Sequence, residues 1–477
     1  MKSVCVVGAG FAGLSAALHL ARRGMQVTVV ESGPGAGGRA RRIVTSKGFS
    51  FDAGPTIVVM TDALRSLLGE DDFAQLGLRR IDPGYRVLWD DGAYFDMHSH
   101  LAAFLEEIAR FEGFDRRAAA VRYLADVHEQ YVQARAKILE IDHTAQSFAK
   151  TILSRGRFAP WSLGRLQPFA RRFFKNERVV QALTFQPLYL GTSPLKAPAM
   201  YALLAVEEIA GGVWYCPGGT GAIVDALVQR CERTGVRFVF DAPVERVVHE
   251  NGWASAIECG SSRIAADGVV ITADREPAAR TMFGAPLRER RMRYGHSAIV
   301  WYASIRGSVH LPHHSVMLSN DPARAYAQLD AARLPDEPLV YVCNSSLSDS
   351  SAAPAGHSAL MLLAPVPNAS ALGTFDETAF FDRVLARVER HAGALRDRLL
   401  DVQSCGPREF AALGLAHGAA FGPDHTLDQM GPFRPPIRHP NIANVVFAGS
   451  GTRPGSGIPM VLISGRLAAQ RLAEAIA

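Results

Sequence analysis

Two stretches at opposite ends of the chain share one hydrophobic pattern: an uninterrupted apolar run, a glycine-rich turn, then apolar residues at helical spacing. Near the N-terminus, Val4 to Val7 reads as a buried parallel strand. Leu14, Ala17, Leu18 and Ala21 then share one helical face, and Gly24 stops the helix. Val27 to Val30 is a second strand ending at Glu31. At the other end, Asn444 to Ala448 reads as a strand, and Ile458-Pro459 opens a helix through Ala477. Proline suits the start of a helix, where a missing N–H costs little.

Between these ends the pattern changes repeatedly. Trp89 to His98 reads as a hairpin turning at Asp91-Gly92, and residues 99–150 look helical. The Gly218-Gly219-Thr220-Gly221 turn precedes a helix from Ala222 to Arg233, and Val236 to Phe240 and Gly268 to Thr272 read as buried strands. Val244 is expected in a further strand, with shorter ones at 255–259 and 263–264. Strands follow at 297–305, 339–343 and 360–365, then an amphipathic helix at 378–391. No repeat or low-complexity segment interrupts the series.

The chemistry lies in the turns. Gly8, Gly10 and Gly13 form G-x-G-x-x-G between the first strand and its helix. Gly8 makes the tight turn, Gly10 lets the backbone approach a pyrophosphate, and Gly13 lets helix and strand pack closely. The helix N-terminus then faces the phosphates. Glu31, at the end of the second strand, is placed to accept hydrogen bonds from a ribose diol. An acid there disfavours a ribose phosphate, and so disfavours NADP. The order strand, turn, helix, strand, acid makes dinucleotide binding a stronger reading than a structural glycine turn.

Composition bounds the rest. At 477 residues, 48% hydrophobic and 20% charged, the chain is globular and large enough for two or three domains. A net charge of +5 is too small for this length to imply nucleic acid as a partner. Six cysteines without Cys-x-x-Cys pairs or a histidine cluster in sequence argue against a disulfide framework and a zinc site, and suit a reducing cytoplasm. No uncharged apolar run is long enough to span a bilayer; the nearest, Ala197 to Trp214, carries Glu207 and Glu208. Lys150 to Arg178, by contrast, interleaves eight basic residues with Phe158, Trp161, Leu163, Leu166, Phe169, Phe173 and Phe174. Such a stretch suits a membrane interface, a helix packing its aromatics into a core, or a nucleic-acid patch.

A second turn, Gly37-Gly38-Arg39, follows the ribose acid. It resembles the GGR extension of flavoproteins in the amine-oxidase and carotenoid-desaturase superfamily, where the arginine reaches the pyrophosphate. A planar guanidinium suits a diphosphate on physical grounds too. Phe51-Asp52-Ala53-Gly54-Pro55-Thr56 is similar to the segment that lines the flavin pocket in that group, and Val244 matches a position whose backbone contacts the adenine. Gly449 to Gly465, GSGTRPGSGIPMVLISG, resembles the C-terminal signature of bacterial-type carotenoid desaturases. GGVWYCPGGTGA at 211 and AHGAAFGPDHTLDQMGPFRP at 416 agree in order, so the resemblance spans nearly the whole chain.

That resemblance implies an α/β fold. A Rossmann-type FAD-binding domain is built from residues 1–70, 211–275 and 416–477. A mixed α+β substrate domain with a helical, membrane-facing part comes from 71–210 and 276–415. Expected cofactor contacts are Gly8, Gly10, Gly13, Glu31, Gly38, Arg39, Gly54, Pro55, Thr56, Val244, Gly449, Ser450, Gly457, Ile458 and Pro459. The amides opening the last helix can then stabilise reduced, anionic flavin.

The implied activity is removal of a hydride and a proton from a linear isoprenoid, such as phytoene or diapophytoene, with quinone or oxygen as electron acceptor. The implied location is cytoplasmic, bound to the inner face of the cell membrane; an oligomer is compatible with it. Many members carry His or Gln where this chain has Arg453, whose cation would favour reduced flavin or mark a different substrate. Asp424 and His425 stand as proton-handling candidates beside a plain loop role. Rival readings are a flavin enzyme on a modified carotenoid (a hydroxycarotenoid dehydrogenase or terminal oxidase), an amine oxidase, and a non-catalytic prenyl binder.

Overall fold

The computed structural model describes residues 1–142, 146–147 and 160–477. Its first sheet has five parallel strands in the order 445–447, 268–271, 3–7, 26–30 and 237–239. The central strand, 3–7, lies between 268–271 and 26–30, and the C-terminal strand 445–447 forms one edge, so the sheet joins segments from both ends and the middle of the chain. Its residues Val4 to Val7 are buried because helices cover the sheet.

Helix Phe11–Ala21 packs between helices Gly219–Arg233 and Ile458–Ile476, and only His19 and Ala21 among its residues escape full burial. This explains its weak amphipathicity: small residues serve the crossings and larger ones fill the core. The closest crossing is with the C-terminal helix. A Cβ on Gly465 would lie 2.3 Å from the Ala12 carbonyl oxygen, and Ser15 Oγ donates to the Leu462 carbonyl at 2.7 Å.

The helix expected from Ala222 begins earlier, at Gly219. The cause is distant in sequence: Asp52 Oδ1 accepts from the Thr220 amide at 2.7 Å and from its hydroxyl at 2.9 Å, capping the helix from another segment. Val244 is buried beside Val7 and Val30, but it precedes the strand Arg246–Glu250 rather than lying in it.

The second sheet has seven strands in the order 399–405, 297–305, 358–366, 340–344, 314–318, 85–89 and 94–97. It draws on both halves of the middle of the chain. Strand Ser297–Ile305 is buried throughout and shows why it need not alternate in polarity. Ile299, Trp301, Ala303 and Ile305 face helix Glu377–Ala392, packing with Phe380, Val384 and Val388. Val300 and Tyr302 face the other way, towards Phe49 and Phe51, and Tyr302 Oη donates to the Ala53 carbonyl at 2.7 Å. The sheet thus presents one face to the Phe51–Thr56 segment.

Helices Leu101–Glu112, Arg117–Ala134 and Ala202–Ala210 build a third layer around an aromatic core. The basic stretch belongs here. Residues 150–159 lie outside the described residues. In the remainder, Leu166, Phe169 and Phe174 are buried, and Trp161 stacks on Phe169 with ring centroids 4.0 Å apart. These aromatics fill the core, while Arg171, Arg172, Lys175 and Leu163 are exposed. Among the described residues no helix is long and apolar enough to cross a membrane.

Candidate cofactor and active site

The two glycine-rich turns of the N-terminal unit touch. The Gly37 amide donates to the Ala9 carbonyl at 2.9 Å, and a Cβ on Gly38 would lie 3.6 Å from Gly10 Cα. Gly8 has φ +102°, a conformation glycine adopts without strain, and a Cβ on Gly13 would sit 1.9 Å from the Gly8 oxygen. Glu31 Oε2 accepts from the Ala9 amide at 2.7 Å and Oε1 from the Gly33 amide at 3.0 Å. The carboxylate is thereby fixed at the mouth of the first turn.

Arg39 joins the two ends of the chain. Its guanidinium donates to the Ala420 carbonyl and to Ser450 Oγ, in the C-terminal loop. Gly54 lies against the backbone of Arg39, where a Cβ would be 2.6 Å from its carbonyl oxygen. The Pro55 carbonyl accepts from Thr220 Oγ1 at 3.1 Å, and Thr56 Oγ1 lies 2.6 Å from Tyr341 Oη on the seven-stranded sheet. The Gly449 amide donates to Ser464 Oγ at 2.9 Å, anchoring the C-terminal turn to its own helix.

These residues suit FAD. Helices Phe11–Ala21 and Ile458–Ile476 both start at a glycine, Gly10 and Gly457, with no side-chain cap and no acid in the first turn. Their first amides have no competing carboxylate, as an anion-binding helix start requires. Nothing lies within 4 Å of a Cβ built on Gly457, and only the Gly37 oxygen, at 3.9 Å, approaches one on Gly10. Open space thus faces both helix starts.

The expected catalytic residues border one loop but take different partners. Arg453 turns to Asp142, donating to Oδ1 at 2.8 Å, and to the Pro432 and Arg434 carbonyls at 2.8 and 3.3 Å. Its charge is paired with a carboxylate that also receives Arg471. Asp424 Oδ1 accepts from Thr192 Oγ1 at 2.5 Å and from the His425 amide at 2.7 Å. His425 is buried with Nδ1 unpartnered, and burial, then the nearby Arg434, hold it well below the usual histidine range. Its Nε2 lies 3.1 Å from the place a Gly455 side chain would occupy. His425 therefore borders the C-terminal loop as an uncharged imidazole.

Three features escaped sequence reasoning. Glu208 is buried on helix Ala202–Ala210, accepting from Tyr85 Oη at 3.0 Å, Gln186 Nε2 at 3.3 Å and the Tyr189 hydroxyl. Burial pushes its carboxyl up to about 7. Its only sequence signal is an acid inside an apolar run. His313, His314 and Cys343 gather in space although not in sequence, with ligand atoms within 4.8 Å of one another. There His314 Nδ1 lies 2.6 Å from the same Tyr341 hydroxyl that meets Thr56. Arg434, from the GPFRP segment, is buried and grips the C-terminal loop. All six cysteines carry free thiols.

A parallel nucleotide-binding sheet, a second sheet facing its glycine-rich loops and two uncapped helix starts define an FAD-dependent oxidoreductase. A family model described as flavin containing amine oxidoreductase matches residues 11–473, and the chain belongs to that family. A zeta-carotene-forming phytoene desaturase from Myxococcus xanthus is 34% identical across 99% of this chain and 94% of its own length. A phytoene dehydrogenase from Streptomyces griseus is 33% identical across 98% and 94%, and a carotenoid 3,4-desaturase from Haloarcula japonica 31% identical across 100% and 99%. Among solved structures, an oxidoreductase from Methanosarcina mazei matches with TM-score 0.66 at 17% identity, covering 97% of this chain and 99% of that one. Cyclohexylamine oxidase from Brevibacterium oxydans matches with TM-score 0.62 at 15% identity, covering 99% of each. These two likenesses carry the fold alone.

Proposed function

We propose that the protein desaturates a linear isoprenoid of the carotenoid-precursor class, such as phytoene or diapophytoene. The observation that carries this reading is end-to-end similarity to relatives named for that activity. The site's composition supports it: the layer beside the flavin loops is aromatic and aliphatic, with Tyr85, Phe185, Leu188, Leu190 and Tyr201 in one cluster.

Bound FAD supplies the hydride acceptor. The chain's own residues do the rest. Gly8 to Gly13, Glu31, Gly38, Arg39 and Val244 would hold the dinucleotide. Gly54 to Thr56 and Gly449, Ser450, Gly457, Ile458 and Pro459 would hold the flavin end. His425 is the candidate proton acceptor because its Nδ1 has no partner, and its basicity is held low by burial and by Arg434; Asp424 holds the His425 backbone in place. The aromatic layer orients the chain and excludes water. Electrons leave to a quinone or oxygen.

The substrate reaches the protein from a membrane surface on the cytoplasmic side. Exposed Arg171, Arg172 and Lys175 lie on the helical layer, with exposed Leu163. The test is anaerobic mixing of yellow holoenzyme with phytoene or diapophytoene in liposomes. Flavin bleaching with these, and none with primary amines, is the expected result. No bleaching by any polyene precursor sinks the proposal.

A further inference from the structure

Arg434 is 1% exposed, among the largest fully buried side chains in the protein. Its Nε donates to the Thr452 carbonyl at 3.3 Å, and Nη2 to the Ser450 and Pro423 carbonyls at 2.9 and 3.4 Å. Nη1 has no partner. Among the described residues no carboxylate forms an ion pair with it, in contrast to Arg275 and Arg387, the other buried arginines, which pair with Glu289 and Asp90. An unpaired buried charge is among the costliest arrangements a fold can keep.

Among the described residues none of the ionisable groups around it forms an ion pair with it. Tyr201 and Tyr294 are pushed above the usual tyrosine range by burial, so both are uncharged. His425 is uncharged as well. Asp424 is the one acid near enough to be felt; it forms no ion pair with Arg434, and its Oδ1 accepts instead from Thr192 and the His425 amide.

The position of this cation is specific. The carbonyls it grips belong to Ser450 and Thr452, and Ser450 Oγ also receives Arg39. Its Cζ lies 3.7 Å from the place a Gly455 side chain would occupy, in the loop that leads to the uncapped helix start at Gly457. Arg434 and that helix start therefore place positive potential on one loop, the loop that carries the flavin-end contacts. Reduced flavin is an anion, whereas oxidised flavin is neutral. A fixed positive charge favours the former.

We propose that Arg434, rather than Arg453, is the fixed cation that stabilises the reduced flavin. It is a positioning and electrostatic residue, acting from behind the C-terminal loop. The inference rests on FAD as cofactor and not on the identity of the substrate, so dithionite replaces the polyene in its test.

The test compares wild-type, R434M, R434K and R453M holoenzymes. Two quantities are read: the two-electron midpoint potential by dye equilibration, and the spectrum of the dithionite-reduced enzyme between pH 6 and 9. R434M is expected to shift the reduced-to-oxidised ratio at least tenfold towards oxidised flavin, a fall of about 30 mV per tenfold for two electrons. R434K, which keeps the charge, is expected to recover most of that shift, and R453M to move the potential less than R434M. The wild-type protein is expected to keep the anionic reduced spectrum down to pH 6. Should R434M lose its flavin, R434K and the wild-type spectrum still decide. A neutral reduced spectrum in wild type at pH 6, or an R434M potential equal to wild type at lowered thermal stability, overturns the proposal and leaves Arg434 a structural clamp.

Discussion

Arg453 and Arg471 share one carboxylate: Arg453 Nη1 donates to Asp142 Oδ1 at 2.8 Å, and Arg471 Nε to Oδ2 at 2.9 Å. The Asp142 and Arg453 side chains are only 11% and 13% exposed, so solvent screens the pair weakly. Removing the acid leaves the Arg453 guanidinium facing a neutral group in a nearly dry place, while Arg471 keeps its ion pair with Glu474. Asp142→Asn is expected to destabilise the holoenzyme by about 3 kcal/mol. Urea unfolding checks this. The cost in an Arg453→Met background should be smaller than in wild type, since that variant lacks the stranded charge. An unchanged cost in both backgrounds would show that the pair contributes nothing.

Gly465 permits the crossing of the first and last helices. A Cβ there would meet the Ala12 oxygen at 2.3 Å and Ser15 Cβ at 2.8 Å, both in a helix that cannot recede because the sheet lies behind it. Gly465→Ala is expected to cost about 1–3 kcal/mol despite alanine's better helix propensity. The same displacement would move the Gly10 turn, so flavin retention should fall with the melting temperature. A variant that melts higher would mean that propensity outweighs the clash.

Glu31 gives a direct reading of cofactor affinity. Its two oxygens already accept from the Ala9 and Gly33 amides, which leaves lone pairs for the ribose hydroxyls. Glu31→Ala removes a charged acceptor, a loss of about 1.5–3 kcal/mol and so more than tenfold in FAD affinity. Recovery of free-FAD fluorescence on dilution measures it. Affinity within threefold of wild type would remove Glu31 from the ribose contact.

The nucleotide-binding half was legible in the sequence because its signals are local. A buried run, three glycines and an acid at fixed spacing place Gly8, Gly13 and Glu31 within one strand–turn–helix unit. The discontinuous sheet was legible as well, since each strand is a separate apolar run. What was not legible arises from contacts between distant segments. Asp52 caps a helix more than 160 positions away, which moved that helix's start to Gly219. The partner of Arg453, Asp142, lies 311 positions earlier, where no pattern links the two. Arg434 was hidden for the opposite reason: a basic residue between prolines looks exposed, and only the fold shows it buried. The aromatic-basic stretch had a real amphipathic signal, but the pattern alone does not say what covers the aromatic side.

Glu208 ties the aromatic layer to pH. It is 3% exposed, has two tyrosine hydroxyls and a glutamine as partners, and no cation is paired with it among the described residues. Burial raises its carboxyl from 4.5 to about 7. The folded protein therefore holds this proton over a range where the unfolded chain has lost it. Stability must fall as pH rises from about 4.5 to about 7, and this contribution is flat above that. The ceiling on the effect is about 3 kcal/mol at 1.36 kcal/mol per pKa unit. Asp52, raised to about 6, adds a slope of the same sign in part of the window, so the informative quantity is a difference between proteins. Glu208→Gln keeps an oxygen for both tyrosines, and a flipped Gln186 amide can accept from the new NH2 group. The variant is expected to match wild type near pH 5 and to exceed it by about 1–3 kcal/mol at pH 8. Urea denaturation of both proteins from pH 5 to 8 reads this directly. Parallel curves would mean that Glu208 ionises in the fold as it does in water, with solvent reaching the tyrosine cluster from the substrate side.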